Sequence, residues 1–171
     1  ITDATRLVWL ETPSNPMLKV VDIAETAKLA KARGALVAVD NTFATPYLQR
    51  PLELGADLVV HSSTKYLGGH SDLIGGAVVA ADEALGDEIA RQQMVTGAVP
   101  GPMDCYLLLR STKTLPVRMR AHCENAARVA AWLRERPEPE NVVYPGLDDH
   151  PQHELAARQM RDFGGMVTVD M

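Results

Sequence analysis

The chain has 171 residues, 46% hydrophobic and 23% charged, with a net charge of −5 and a pI near 5.5. That suffices for one domain with a sizeable core, or for one domain and a piece of another. Without a basic run or interleaved aromatic and basic residues, nucleic acid is excluded as a partner, and no apolar run approaches the length of a membrane span.

Arg6–Leu10 is an apolar run of strand length, closed by Glu11-Thr-Pro-Ser-Asn-Pro16, where two prolines and an asparagine make a turn. Asp22 can cap a helix over 23–33, with Ile23, Ala27 and Ala30 on one face and Gly34 as the stop. Ala35–Val39 is a second strand, ending at Asp40-Asn41-Thr42. A short helical segment is predicted near Leu48–Leu54, then a third strand at Leu58–Val60 that runs into His61-Ser-Ser-Thr-Lys-Tyr66. Gly75–Val79 is a further strand, residues 82–93 a charged helix with Asp82 as cap, and Ala98–Pro102 a rigid loop. A helix begins at Asp104, and Pro116 interrupts the pattern with a boundary or kink. Val117–Glu135 reads as a helix of roughly five turns. Arg136-Pro-Glu-Pro139 is the boundary expected between a first unit, 1–136, and a second, 137–171. The second holds a strand at Val142–Tyr144, a helix at His153–Met160 and a strand within Gly165–Asp170. Because the chain stops inside that last run, it reads as a fragment of a longer protein.

Short strands without alternation, separated by helices, predict βαβ units in a sheet covered on both faces. Ligands of such sheets bind beyond the carboxyl ends of the strands. Three of these ends carry unusual residues: Asn15, Asp40, and the Ser62, Thr64, Lys65 cluster. Steps of 25 residues separate Asn15 from Asp40 and Asp40 from Lys65, the length of a strand plus one crossover, so the polar groups should converge on one edge. An ammonium at a buried strand end is costly, and one chemistry uses it there: a lysine activated by burial forms a Schiff base with a carbonyl compound.

Pyridoxal phosphate matches this set. Lys65 can supply the amine, Asp40 a carboxylate for the pyridine nitrogen, Ser62 and Thr64 donors to the phosphate, and Asn15 a polar group near the ring hydroxyl or substrate. The plainer alternatives are a solvated turn lysine, an Asp-Asn turn at Asp40 and an Asn-Pro turn at Asn15. A metal site built from His61, His70 and Asp72 is disfavoured because no paired His or Cys spacing accompanies them. His122, His150 and His153 read as surface or helix-face residues. Cys105 and Cys123 lie in helical patterns and read as reduced core thiols. A hydrolase reading fails because Ser62 and Ser63 lack the Gly-x-Ser-x-Gly elbow; a non-catalytic α/β fragment stays open.

Four motifs carry a resemblance: Glu11-Thr-Pro-Ser-Asn-Pro16, Val39-Asp-Asn-Thr-Phe-Ala-Thr-Pro46, His61-Ser-Ser-Thr-Lys-Tyr-Leu-Gly-Gly-His-Ser-Asp72 and Gly97-Ala-Val-Pro-Gly-Pro102, with Tyr144-Pro-Gly-Leu147 and Gln159–Met166 in the tail. With these the chain resembles the Cys/Met-metabolism enzymes that use pyridoxal 5'-phosphate. The resemblance implies an α/β class protein with the fold type I, aspartate-aminotransferase-like architecture: a central, mostly parallel sheet flanked by helices, here the central part of the large cofactor-binding domain, plus the start of a smaller C-terminal α/β domain. It implies Lys65 as the cofactor-bearing lysine that also moves protons, Asp40 as the partner of the pyridine nitrogen, Ser62 and Thr64 as phosphate ligands, and Asn15 as a contact to cofactor and substrate. It further implies small amino-acid substrates, a cytoplasmic homotetramer built as a dimer of dimers, and no metal. The wording of residues 97–102 and of the tail looks most like the bacterial cystathionine γ-synthases, which join cysteine to an O-acylhomoserine by γ-replacement; the γ-lyases share the same motifs. Relative to the family, Ser111-Thr112 stands where Gly-Leu is usual, and a serine there is expected to strain or bend a helix start. The family's ring-stacking aromatic, phosphate loop and substrate-binding arginine fall outside the 171 residues, so the isolated chain is expected not to turn over substrate.

Overall fold

The computed structural model describes residues 1–171. Four strands form one sheet: β1 (Leu7–Glu11), β2 (Leu36–Asp40), β3 (Leu58–Ser62) and β4 (Gly76–Ala80), in that spatial order. β1, β2 and β3 are parallel, and β4 returns antiparallel to β3. The register Glu11↔Asp40 and Asp40↔Val60 aligns the carboxyl ends of the parallel strands, as the equal spacing predicted.

The β1–β2 crossover carries α1 (Ile23–Lys31). Its N-terminus is capped by Asp22, whose Oδ1 accepts from the Glu25 N–H at 3.0 Å. Ile23, Ala27 and Ala30 are buried against Val37, Val39 and Ala56, with Val8 and Leu10 packed at the margin. Burying Ile23 alone contributes about 1.5–3 kcal/mol, and the two alanines let the helix lie close to the sheet. Residues on the opposite face, Leu7, Trp9, Leu36 and Val78, remain largely exposed, Trp9 at 57%. Helix α1 covers one face; on the other, the helix that follows β4 lies beside the end of that strand, with Gly86 next to Ala80, and leaves those four residues exposed, so the second face is only partly covered.

Between β2 and β3 lie α2 (Thr45–Leu48) and a 3-10 turn (Pro51–Leu54), two pieces where one short helix was predicted. After β4 come α3 (Glu83–Thr96), α4 (Pro102–Thr112) and α5 (Leu115–Arg134). Pro116 sits in the first turn of α5, where a missing N–H costs nothing, so it marks the boundary rather than a kink. Ser111 lies in the last turn of α4, not at a helix start, and its backbone is not left-handed. The expected strain is absent because a serine is no burden there; its Oγ lies 3.2 Å from Nδ1 of His70.

The tail contributes β5 (Asn141–Val143), α6 (His153–Gln159) and β6 (Thr168–Asp170), with β5 and β6 paired antiparallel in a separate small sheet. α6 does not stand apart. Ala156 and Met160 share a core with Val20, Leu48, Leu67, Leu115, Met119 and Cys123. Arg158 pairs with Asp22 at 2.8 Å, and the Thr168 hydroxyl donates to the Pro16 carbonyl. The tail therefore braces the same loop that carries Asn15.

Candidate active site

β3 ends and the backbone turns sharply. Ser63–Leu67 form a single wide turn broken at Lys65, whose φ/ψ of −90°/−127° is not helical. The Gly68 N–H donates back to the Ser63 carbonyl at 2.8 Å and the Gly69 N–H to the Lys65 carbonyl at 2.7 Å. This turn lifts Lys65 out of the sheet. Its side chain is exposed in an open cleft, so the burial expected of a strand-end lysine is corrected: the wide turn, not desolvation, is what sets it apart. The ammonium forms no hydrogen bond or ion pair with the rest of the chain.

The cleft has a volume of about 760 Å³ and its walls include all five predicted residues, Asn15, Asp40, Ser62, Thr64 and Lys65. Asp40 is half-buried at the end of β2, and its Oδ1 accepts from the Thr42 N–H at 3.0 Å. Thr42 Oγ1 in turn accepts from the Ser62 N–H at 2.8 Å, stitching the ends of β2 and β3 together. Thr64 Oγ1 accepts from the Gly75 N–H at 3.1 Å, which ties the lysine turn to the start of β4. Asn15 is exposed on the loop after β1; its N–H donates to Glu11 Oε1 at 3.3 Å and its carboxamide is free.

Sequence reasoning missed part of the wall. His122, expected on a plain helix face, projects from α5 into the cleft, with its ring 5.0 Å from that of Tyr66. Burial and the nearby Arg118 hold His122 below the ordinary histidine range. Burial, with a smaller contribution from Cys123, pushes the Tyr66 phenol up to about 12. Gly165 and Met166 close this side: a Cβ on Gly165 would stand 2.7 Å from the Tyr66 hydroxyl and 2.8 Å from His122 Cβ. Gly165 and Met166 fall in the tail motif Gln159–Met166 but were not read as part of the site, and these residues lie some 50 to 100 positions from the lysine.

Arg118, one turn before His122 on α5, locks the lysine turn. Its Nη1 donates to the Tyr66 carbonyl at 2.6 Å, Nη2 to the Ser111 carbonyl at 3.0 Å and Nε to Thr114 Oγ1 at 3.1 Å. The guanidinium fills the space over Gly69, where an added Cβ would lie 2.2 Å from Nη1; Gly69 also has φ +71°.

His61 lies on the same face of the sheet as Val39 and Val59, the face that α1 covers, is 5% exposed, and its Nδ1 has no hydrogen-bond partner. His70 instead donates from Nδ1 to the Gly68 carbonyl at 2.7 Å. No three His, Cys, Asp or Glu side chains converge in a metal-ligating group. His150 is buried rather than on the surface, and His153 stacks on Phe163 at 5.0 Å. Cys105 is exposed on α4, against expectation, at a groove it lines with Gly75, Gly76 and Gln93; Cys123 is buried.

Burial lowers the pKa of His61, and the Asp40 carboxylate opposes it only in part. His122 and His150 are shifted down as well, burial being the first cause in each. Above about pH 6.5 these histidines are neutral in both folded and unfolded chains, and below it the unfolded chain takes up protons the folded one resists. Stability should therefore be full above about pH 6.5 and fall as pH drops toward the depressed folded values. Urea midpoints measured from pH 8 to pH 5 check this; His61→Phe should flatten the slope, and an unchanged slope would contradict it.

The profile of the Cys/Met metabolism PLP-dependent enzyme family matches residues 1–171. The chain belongs to this family. It is 58% identical over 171 residues to a cystathionine gamma-synthase of Mycobacterium tuberculosis (strain ATCC 25618 / H37Rv), covering all of this chain and 44% of that protein. It is 51% identical over 172 residues to a cystathionine beta-lyase of Coxiella burnetii, again covering 100% of this chain and 44% of the relative. Among solved structures, a cystathionine gamma-lyase of Lactobacillus plantarum complexed with L-serine superposes with a TM-score of 0.98 at 47% identity, covering 100% of this chain and 45% of that one. The chain thus spans less than half the length of each of these three relatives. Its architecture is that of these PLP-dependent enzymes, a mixed, mostly parallel sheet with flanking helices, and enzymes of the family use pyridoxal 5'-phosphate.

The side chains present suit that cofactor. The Lys65 amine without an ion pair, the Asp40 carboxylate with a single oxygen engaged, hydroxyls at the turn after β3 and the free carboxamide of Asn15 share one cleft. These are the donor and acceptor types that an aldehyde, a pyridine nitrogen, a phosphate and a ring hydroxyl require.

Proposed function

We propose that the chain is the central part of a transsulfuration enzyme that forms cystathionine from an O-acylhomoserine and cysteine by γ-replacement. The observation that carries this reading is the convergence of Lys65, Asp40, Ser62, Thr64 and Asn15 on one cleft. Pyridoxal 5'-phosphate, when bound, supplies an aldehyde for amino groups and an electron-withdrawing ring. Lys65 holds the amine that would bond to the aldehyde and would carry protons between neighbouring substrate carbons. Asp40, fixed by the Thr42 N–H, would offer its carboxylate to the ring nitrogen. Ser62 and Thr64 donate toward the phosphate, and Asn15 orients the substrate carboxylate and the ring hydroxyl. The γ-synthase relatives at up to 58% identity favour γ-replacement; β-lyase and γ-lyase relatives share the same motifs and define the alternative.

In this reading residues 1–136 belong to the large cofactor-binding domain and 137–171 begin the C-terminal domain, supported by the separate β5–β6 sheet. The protein is a cytoplasmic dimer of dimers. The exposed apolar residues Met94, Val95, Val99, Met103, Tyr106 and Leu109 on and between α3 and α4 are the support within this chain for self-association.

The test is product analysis of the enzyme supplied with O-succinyl- or O-acetylhomoserine plus cysteine, and separately with cystathionine. Cystathionine formed from the first mixture faster than keto acid released from the second is the expected result. Keto acid from cystathionine as the dominant product would replace γ-replacement with a lyase reaction.

A further inference from the structure

We infer that Gln49 is a positioning residue for the cleft: its buried carboxamide locks the loop bearing Asn15 and the strand end bearing Asp40 together and ties both to α6. Gln49 is 1% exposed, and Asn41 and Thr12 are fully buried. The two protons of Gln49 Nε2 go to the Thr12 carbonyl at 3.1 Å and to Asn41 Oδ1 at 2.8 Å. The Asn41 amide donates to the Gln49 carbonyl at 2.9 Å. Gln49 Oε1 accepts from Gln159 of α6 at 2.9 Å; Gln159 also donates to the Val21 carbonyl and accepts from the Ile23 N–H. Three carboxamides thus run in series, each of their side-chain nitrogens and oxygens holding at least one partner, and at the buried Gln49–Asn41 end such a network is stiff and costly to break.

The ends of this series are the site. Thr12 opens the loop that carries Asn15, and its N–H donates to the Asp40 carbonyl at 3.3 Å. Asn41 is the next residue after Asp40. A second observation agrees. Thr45, a β-branched residue, sits at φ 63°, a sparsely populated region that persists only where neighbours over-determine it. It is held on both sides by this hub, donating from its N–H to the Asn41 carbonyl at 2.8 Å and accepting from the Gln49 N–H at 3.1 Å. No apolar residue at 49 could pair Thr12 O and Asn41 Oδ1, and a glutamate would set an acceptor against them.

The catalytic consequence rests on the reading of Asp40 and Asn15 given above, whereas the hub itself does not, and the experiment separates the two. In Gln49→Met, hydrogen exchange at the Thr42 amide, the group that holds Asp40, should accelerate about 10-fold while α3 and α5 stay unchanged, since local opening need not follow global stability. Affinity for pyridoxal 5'-phosphate, followed by absorbance, should weaken about 10-fold, and by less than about 2-fold when Asp40→Asn is already present, because the two changes act through one group. Gln159→Leu, which removes only the outer contact, should show the same pattern at about 3-fold and decides alone if Gln49→Met does not fold. Thr42 exchange at the wild-type rate in a folded variant overturns the inference, and so does faster exchange with unaltered cofactor affinity, or equal effects with and without Asp40→Asn. Faster exchange in a chain whose wild type captures no cofactor would instead sink the proposed function and leave the hub standing.

Discussion

Replacing Lys65 with alanine is expected to abolish covalent capture of pyridoxal 5'-phosphate and to lower turnover of the enzyme by at least about 10³-fold, since nucleophile and proton carrier are lost together. Lys65 is the only amine in the wall of the cleft, and no carboxylate of the chain engages it. The wide turn that presents it is held by backbone bonds and by Arg118, so a truncated side chain should leave the turn in place. Lys65→Arg separates charge from nucleophilicity: it keeps the cation and should fail as completely, because a guanidinium stays protonated. Borohydride reduction followed by peptide mapping is the measurement. An adduct recovered in equal yield from the alanine variant would place the chemistry on another lysine.

Asp40→Asn should lower turnover by about 10²–10³-fold, because a neutral amide no longer favours a protonated ring nitrogen facing it. The amide can still accept from the Thr42 N–H, so the 3.0 Å contact survives and the loss isolates the charge. The same change removes the one influence that raises the His61 pKa, so His61 should titrate lower still in this variant. Histidine NMR across pH 5–8 would show that shift, and steady-state kinetics the loss. A kcat/KM within threefold of wild type would mean that Asp40 is an ordinary turn aspartate.

What could be read from the residues depended on how local the cause was. The order of strands and helices was legible because each strand is a short apolar run with its own breaker, and because Asp22 and Asp82 cap their helices within three residues. The meeting of Asn15, Asp40 and Lys65 was legible because two equal steps in a parallel sheet bring strand ends to one edge. Cover on the second face is partial: α3 reaches the end of β4 but not β1, and Trp9 stays exposed, an extent that apolar strands alone do not reveal. The exposure of Lys65 was missed since a strand-period reading cannot foresee the wide turn at Ser63–Leu67. His122, Gly165 and Met166 were missed because only the docking of α5 and the tail onto the turn brings them near. The carboxamide series was invisible for the same reason: Gln49 and Gln159 look like surface glutamines until α6 is in place.

The contact between Gly69 and Arg118 constrains how this sequence can drift. Any side chain at 69 would collide with a guanidinium that is itself held by three hydrogen bonds, and would also have to adopt φ +71°. Loss of Arg118 first would free that space but leave the Tyr66 and Ser111 carbonyls without this donor beside the lysine. Each single step is therefore harmful, and the left-handed backbone keeps the double change unfavourable. The two positions, 49 residues apart in the chain, should be inherited as a unit. In a deep collection of descendants, substitutions at 69 should be found almost only in sequences that have already abandoned arginine at 118.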